Sequence, residues 1–262
     1  MDDAGGPDRV RVRLLVAYDG SGYHGFAPNR GVPTVGGALA TSLQRVLGHE
    51  VVLTCAGRTD AGVHAWGQVV SFDADPRRLD LMALRGSLNA MCRPAIVVRE
   101  VAVAEPGFDA RFDAASRTYR YTVLNREVAD PFVRHTSWHV TAPLDVAAMQ
   151  TGSDALIGRH DFTSFCRRKV VTGADGGEIE ASRVRQVMRA GWSEGDDEML
   201  FFEIEASSFC QQMVRSVVGT LAEIGRGRRR AAEMVDVIAA RDRAVAGSMA
   251  PAHGLSLWSV AY

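Results

Sequence analysis

The chain has 262 residues, 47% of them hydrophobic, with 31 acidic against 30 basic side chains and a net charge of −1. That is enough apolar material for one large or two small cored domains, and it lacks the overall basicity of many nucleic-acid binders. No apolar run reaches membrane-spanning length, and the opening MDDAGGPDRVRVR has no apolar secretion segment, so a cytoplasmic location and no membrane partner are expected. Cys55, Cys92, Cys166 and Cys210 are scattered with no C-x-x-C pair, which argues against both a zinc site and a disulfide framework.

In chain order, Val10–Tyr18 alternates apolar and basic residues, setting Arg9, Arg11 and Arg13 opposite Val10, Val12 and Leu14, as in a half-buried strand. The glycine-rich DGSGYHGFAPNRGVP loop follows. Thr34 then caps a helix in which Val35, Leu39, Leu43 and Val46 share a face. VVLTCA (51–56) and WGQVVSFD (66–73) read as strands, LDLMALRGSLNAM (79–91) as a helix and AIVVREVAVA (95–104) as a strand. A comparable alternation returns in the second half. SRTYRYTVLN is a strand and LDVAAMQTGSDALIG a helix; SRVRQVMRAGW and MLFFEIEAS are strands. SFCQQMVRSVVGTLAEIG (208–225) and RRAAEMVDVIAAR (229–241) are helices, before the closing strand LSLWSVAY. The glycine-rich insert at 170–181 is expected to be a hairpin or loop. The pattern predicts an α+β protein with two related halves, 1–105 and 106–262, meeting at a mixed, mainly antiparallel sheet.

No phosphate-loop, dinucleotide or H-E-x-x-H motif is present, so no cofactor and no metal are expected. Three polar features stand on otherwise apolar ground. Arg58 and Asp60 occupy the small-residue turn GRTDAG, where they read either as an exposed pair of little energetic weight or as chemistry. In RTYRY, Arg117, Tyr119 and Tyr121 share a strand face; Tyr121 reads as core, and Tyr119 as core or as a stacking platform for a nucleobase. Arg215 sits among Met213, Val214, Val217, Val218 and Leu221 at a core margin and calls for a carboxylate partner. Were that partner Asp60, Arg215 would keep it ionised, as an aspartate nucleophile requires. Lys169 is the only lysine; the other basic side chains are arginines, suited to phosphate contacts and base stacking, although a GC-rich genome also accounts for such a bias. His24 and His64 read as packed, hydrogen-bonded residues, and Asp109 and Asp113 as loop-stabilising.

Together, AYDGSGYHGF, AGRTDAGVHAWGQVVSF, GFDARFDAASRTYRY, DFTSF, FCQQMVRSVVG and APAHGLSLWSVAY, in this order, resemble the TruA-type tRNA pseudouridine synthases nearly from end to end. The resemblance implies two ferredoxin-like halves with helices on one side and a central catalytic cleft. It implies isomerisation of uridine to pseudouridine at positions 38–40 of the tRNA anticodon stem-loop, by a cofactor-free homodimer. Asp60 would be the nucleophile, and Arg58 would fill the space left by the flipped uridine. Tyr119 would pack on the uracil and Arg215 would pair with the catalytic carboxylate. Arginines lining the cleft would hold tRNA, with Arg111, Arg167 and Arg168 foremost and Arg9, Arg11, Arg30, Arg226, Arg228, Arg229 and Arg230 as further candidates.

The chain also departs from the family pattern. Ala27, Pro28, Asn29 and Gly36 replace a glutamine- and arginine-rich segment, and Gln211 and Gln212 stand where a histidine or aromatic is common. The second reading is accordingly a catalytically weak paralogue that binds or helps fold tRNA. A carboxylate-dependent hydrolase is a distant third, since no second acid stands near the motif.

Overall fold

The computed structural model describes residues 9–168, 170–172 and 178–262. It divides into two compact α+β units: the chain up to Ala115 together with Ser256–Tyr262, and Ser116–Leu255. The first unit runs β1 (Val10–Tyr18), α1 (Val35–Leu47), β2 (Thr54–Cys55), β3 (His64–Ala74), α2 (Leu81–Cys92) and β4 (Ile96–Val103), the order read from the sequence. Its central strand β1 pairs antiparallel with β3 and with β4, placing Leu14 opposite Val70 and Val101. Alternation does what it predicts: Val12, Leu14, Val16 and Tyr18 are buried, while Arg11 and Arg13 stay partly exposed. Thr34 caps α1 by accepting the Gly37 N–H at 3.2 Å. Asp80 caps α2 by accepting from Met82 and Ala83. Buried Leu39, Leu43 and Leu47 of α1 and Leu84 and Leu88 of α2 supply the apolar layer. β2 is shorter than the run VVLTCA predicts, because Val52 lies in solvent and only Thr54 and Cys55 pair with β3.

The division between units falls ten residues later than the joint near 105, and the closing strand returns to the first unit. Packing gives the reason. Ala110 is buried with Ala56 and Val69, with Phe108, Leu15 and Val260 against them. The Ala110 N–H donates to Ser71 Oγ at 3.1 Å, and Tyr262 Oη donates to the Ala110 carbonyl at 2.7 Å.

The second unit contains β5 (Ser116–Leu124), β6 (Trp138–His139), α3 (Val146–Asp154), β7 (Gly158–Asp161), β8 (Val170–Thr172), β9 (Glu178–Glu180), β10 (Val184–Glu194), β11 (Met199–Ala206), α4 (Met213–Gly225) and α5 (Glu233–Ala240). Strand β12 (Leu255–Ala261) ends the chain and pairs parallel with β3 through Ser256 and Leu257. Within the second unit the strand order is β5-β11-β10-β7, all antiparallel, with the short β6 added parallel to β5. β8 and β9 pair as a separate two-stranded ladder, and residues 173–177 of the glycine-rich insert lie outside the described residues. Helix α4 begins at Met213 rather than Ser208, because Gln212 adopts a left-handed backbone (φ 68°) that breaks the helical path. Among the described residues no helix is long and apolar enough to cross a membrane.

Two of the four cysteines correct the sequence expectation. Cys166 and Cys210 form a disulfide with Cα atoms 5.8 Å apart, whereas Cys55 and Cys92 are buried thiols. Sequence spacing hides this pair because the segment after Phe165 and the one before α4 meet only in the fold, where the Arg167 N–H donates to the Gln211 carbonyl at 3.0 Å.

Tyr121 is core, as its strand position indicates. It is 0% exposed, opposite Phe202, and its hydroxyl donates to the Pro251 carbonyl at 2.8 Å. Burial pushes its phenol pKa far up, only partly offset by the Arg215 charge. Tyr121→Phe deletes the hydroxyl and strands a carbonyl, so urea unfolding should show a loss of about 1–3 kcal/mol; a change below about 0.5 kcal/mol would mean the bond contributes nothing.

Candidate active site

Arg58, Thr59 and Asp60 lie in the turn between β2 and β3. Arg58 is exposed, Thr59 is buried and Asp60 is partly buried, so the two charged side chains leave the core on either side of a residue that enters it. The turn's backbone is held from two directions. From β3, Gln68 reaches Gly57: its Nε2 donates to the Gly57 carbonyl at 2.6 Å and its Oε1 accepts the Gly57 N–H at 3.3 Å. Tyr18, at the end of β1, places its hydroxyl 2.8 Å from Thr59 Oγ1 and accepts from Gln68 Nε2 at 3.4 Å.

The opposite hold comes from the loop after β1. The Phe26 N–H donates to the Thr59 carbonyl at 3.1 Å, the Gly62 N–H to the Tyr23 carbonyl at 3.2 Å and, within the turn, the Val63 N–H to the Asp60 carbonyl at 3.1 Å. Gly25 makes this approach possible. Its φ is +89°, and a Cβ there would stand 2.6 Å from the Thr59 carbonyl oxygen. Gly36, one of the departures from the family pattern, has a similar reason. Its N–H donates to the Phe26 carbonyl at 2.9 Å, and a Cβ would lie 2.6 Å from that oxygen. The divergent segment is thus packed against the same Phe26 that braces the turn.

His64 is buried and accepts the Gly20 N–H at Nδ1 (3.0 Å), with Asp19 3.2 Å away, in keeping with a structural histidine. His24 is exposed, contrary to the packed position expected of it. Asp109 accepts the N–H groups of Arg111 and Phe112, and Asp113 accepts that of Asp109, so both acids stabilise the loop as read. Arg111 itself is exposed, its guanidinium 5.3 Å from the Phe112 ring centroid.

In the second unit, Tyr119 is 7% exposed on β5, with the Phe209 ring edge-on at 4.9 Å. Phe209 precedes α4 and is free of the helix because Gln212 breaks it. Arg117, on the same face, is also buried and donates to the Ser207 carbonyl at 2.8 Å. Arg215 is partly buried on the first turn of α4, as its apolar neighbours imply. Its Nε donates to the Ala250 carbonyl at 2.8 Å, and the Ala250 N–H returns a bond to the Arg215 carbonyl at 3.0 Å. The 250 segment therefore fixes the guanidinium's direction.

Arg167 and Arg168 are exposed and line an open cavity of about 520 Å³ with Arg183 and Arg243. Sequence reading missed the latter two, which no local motif marks. Glu180 bridges Arg168 (2.5 Å) and Arg183 (3.1 Å), and Arg243 donates to Ser216 Oγ of α4 at 2.9 Å. Other candidate arginines have carboxylate partners: Arg11 with Asp73 (3.2 Å), Arg229 with Glu223 (3.3 Å) and Arg230 with Glu233 (2.8 Å). Gln68 and Tyr18 were also unread, although Q-V-V on a strand beside the turn offered a signal: a glutamine within an apolar run.

A family model described as tRNA pseudouridine synthase matches residues 14–113 and 153–262. The chain is 40% identical over 252 residues to the tRNA pseudouridine synthase A of Brevibacillus brevis, covering 96% of this chain and 99% of the relative. It is 42% identical over 254 residues to that of Geobacillus kaustophilus (96% and 94%) and 41% over 253 residues to that of Moorella thermoacetica (96% and 99%). A solved archaeal box H/ACA sRNP Nop10-Cbf5 complex aligns with 80% of this chain and 44% of its own, at a TM-score of 0.31 and 14% identity, too slight a likeness to support an argument. On the family match and the end-to-end identity with these relatives, the chain belongs to the tRNA pseudouridine synthase family.

Proposed function

We propose that this chain isomerises uridine to pseudouridine at positions 38–40 of the tRNA anticodon arm, with Asp60 as nucleophile. The supporting observation is the turn itself: a partly buried aspartate and an exposed arginine, two residues apart, on a backbone braced from both sides. The ionised Asp60 carboxylate attacks either C1′ of the ribose or C6 of the uracil, and the N1–C1′ bond breaks. The ring turns, C5 bonds to C1′, the bond to Asp60 breaks and frees the carboxylate, the C5 proton leaves and N1 regains one, so nothing is consumed. Removing the uridine from its stack costs a few kcal/mol. Arg58, exposed at the turn, fills the vacated space. Tyr119 packs on the flipped uracil, its ring already oriented by Phe209. Arg215, its Nε donating to the Ala250 carbonyl, supplies the positive charge that pairs with the catalytic carboxylate, the role that the family resemblance gives it.

Arg111, Arg167 and Arg168 contact the tRNA backbone, and the cavity that the latter two share with Arg183 and Arg243 widens that candidate set. Folded RNA is read mainly through backbone and shape, so local arginine clusters suffice despite a net charge of −1. The working form is a cytoplasmic homodimer.

Unmodified tRNA transcripts incubated with wild type should gain pseudouridine in the anticodon arm, mapped by position, and those incubated with Asp60→Asn should not. If both proteins bind tRNA and neither modifies it, the second reading, an RNA-binding paralogue, replaces this one. Arg58→Ala should lower turnover about 100-fold, the scale of a lost positioning contact, with tRNA affinity changed far less; an unchanged rate removes Arg58 from the mechanism. Binding should weaken steeply with salt, log K falling by about 0.7–0.9 per log unit of salt for each phosphate contact. Arg167→Ala should flatten that slope by about one contact, and an unaltered slope would take Arg167 off the RNA path.

A further inference from the structure

The first unit buries three polar side chains around the turn: Gln68 is 0% exposed, Tyr18 4% and Thr59 6%. A leucine at position 68 would fill the same strand position without desolvating an amide, a cost that must otherwise be met by hydrogen bonds. Here it is met in a specific way. The Gln68 amide satisfies both backbone groups of Gly57, as a neighbouring strand would, at the residue immediately before Arg58. Its second N–H goes to Tyr18 Oη, and that hydroxyl shares a hydrogen bond with Thr59 Oγ1, between Arg58 and Asp60. Arg58 is therefore anchored at the residue on each side of it, and Asp60 follows directly on the second anchor. Burial raises the Tyr18 phenol well above its ordinary pKa, which favours the protonated hydroxyl that these bonds use.

We propose that Gln68 and Tyr18 are positioning residues for the reaction, setting the directions of Arg58 and Asp60 by holding Gly57 and Thr59. The proposal rests on Asp60 being the catalytic carboxylate. Catalytic groups must be held to within about half an ångström. The clamp acts through backbone and hydroxyl and does not touch substrate, so its loss should appear in the chemical step and leave tRNA binding intact.

The test uses the full chain with Tyr18→Phe, Gln68→Leu, Thr59→Val and Thr59→Ser. Three quantities are compared: the single-turnover rate at saturating tRNA, tRNA affinity, and amide hydrogen exchange at Arg58–Ala61. Tyr18→Phe and Thr59→Val should each slow the chemical step about tenfold and Gln68→Leu about 100-fold, within the range for misplaced catalytic groups, with affinity within about twofold. Thr59→Ser, which keeps the hydroxyl, should restore the rate. The Tyr18→Phe, Thr59→Val double variant should be no slower than Tyr18→Phe alone, because the bond between the two hydroxyls is already lost there. Rates within about twofold of wild type in folded variants would reduce the network to packing and overturn the proposal. Exchange separates it from the functional reading. Faster turn exchange in Tyr18→Phe beside an inactive wild type sinks the functional reading and supports the clamp, whereas unchanged exchange sinks the clamp whatever the wild type does.

Discussion

A short turn that presents an arginine and an aspartate has to satisfy its own buried backbone without a neighbouring strand to do so, and the first unit is arranged around that requirement. β2 stops at Cys55, and the ladder it leaves unfinished is completed by a side chain, the Gln68 amide on Gly57. The other side is completed by Phe26, whose N–H reaches the Thr59 carbonyl only because Gly25 has no Cβ and a positive φ. Leaving a buried donor or acceptor unpaired costs about 1–3 kcal/mol, and four such groups converge on residues 57–60. Gln68 of β3 and Phe26 of the glycine-rich loop supply three of the partners, and Val63 within the turn the fourth.

The second unit solves a related problem with a different device. Tyr119 and Arg215 are large polar side chains at a core margin; Tyr119 is oriented by Phe209, which α4 would have absorbed had it begun earlier, and Arg215 by Ala250. The left-handed Gln212 ends the helix at Met213, so Phe209 is released to meet the edge of Tyr119. Arg215 then falls on the first helical turn, where Ala250 can bond both its backbone and its guanidinium. A helix continuous from Ser208 would have satisfied propensity and taken Phe209 into its own turns.

These two devices also mark what the sequence discloses. Elements with a single dominant period were legible: the alternation of β1, the Thr34 cap and face of α1, and the core position of Tyr121 all follow from spacing and burial. The charged turn was legible as unusual, and a burial argument alone singled out Arg215. Gln68 was not, because one polar residue in an apolar strand has no local partner to announce it; its partner lies eleven positions back across a turn. The Cys166–Cys210 pair and the convergence of Arg183 and Arg243 with Arg167 and Arg168 were hidden for the same reason, being products of tertiary contact between segments without a shared pattern. The early start read for α4 failed because helical spacing continues through residues whose backbone is turned by tertiary packing.

The near-zero net charge acquires a physical meaning at the arginines. Arg11, Arg168, Arg183, Arg229 and Arg230 all pair with carboxylates of the chain itself, and Glu180 serves two of them at one cavity. Arg168 and Arg230 stand in solvent, where an ion pair is worth about 1 kcal/mol or less, so there the carboxylate orders the guanidinium without binding it tightly. A phosphate can replace the carboxylate at small net cost, and the carboxylate can reclaim the arginine when the phosphate leaves. Under the proposed reading that exchange favours release of product tRNA as much as capture of substrate. A chain with the same arginines and no acidic partners would hold RNA more strongly and turn over less readily, so balanced charge is compatible with the proposed reaction and gives no reason to doubt an RNA substrate.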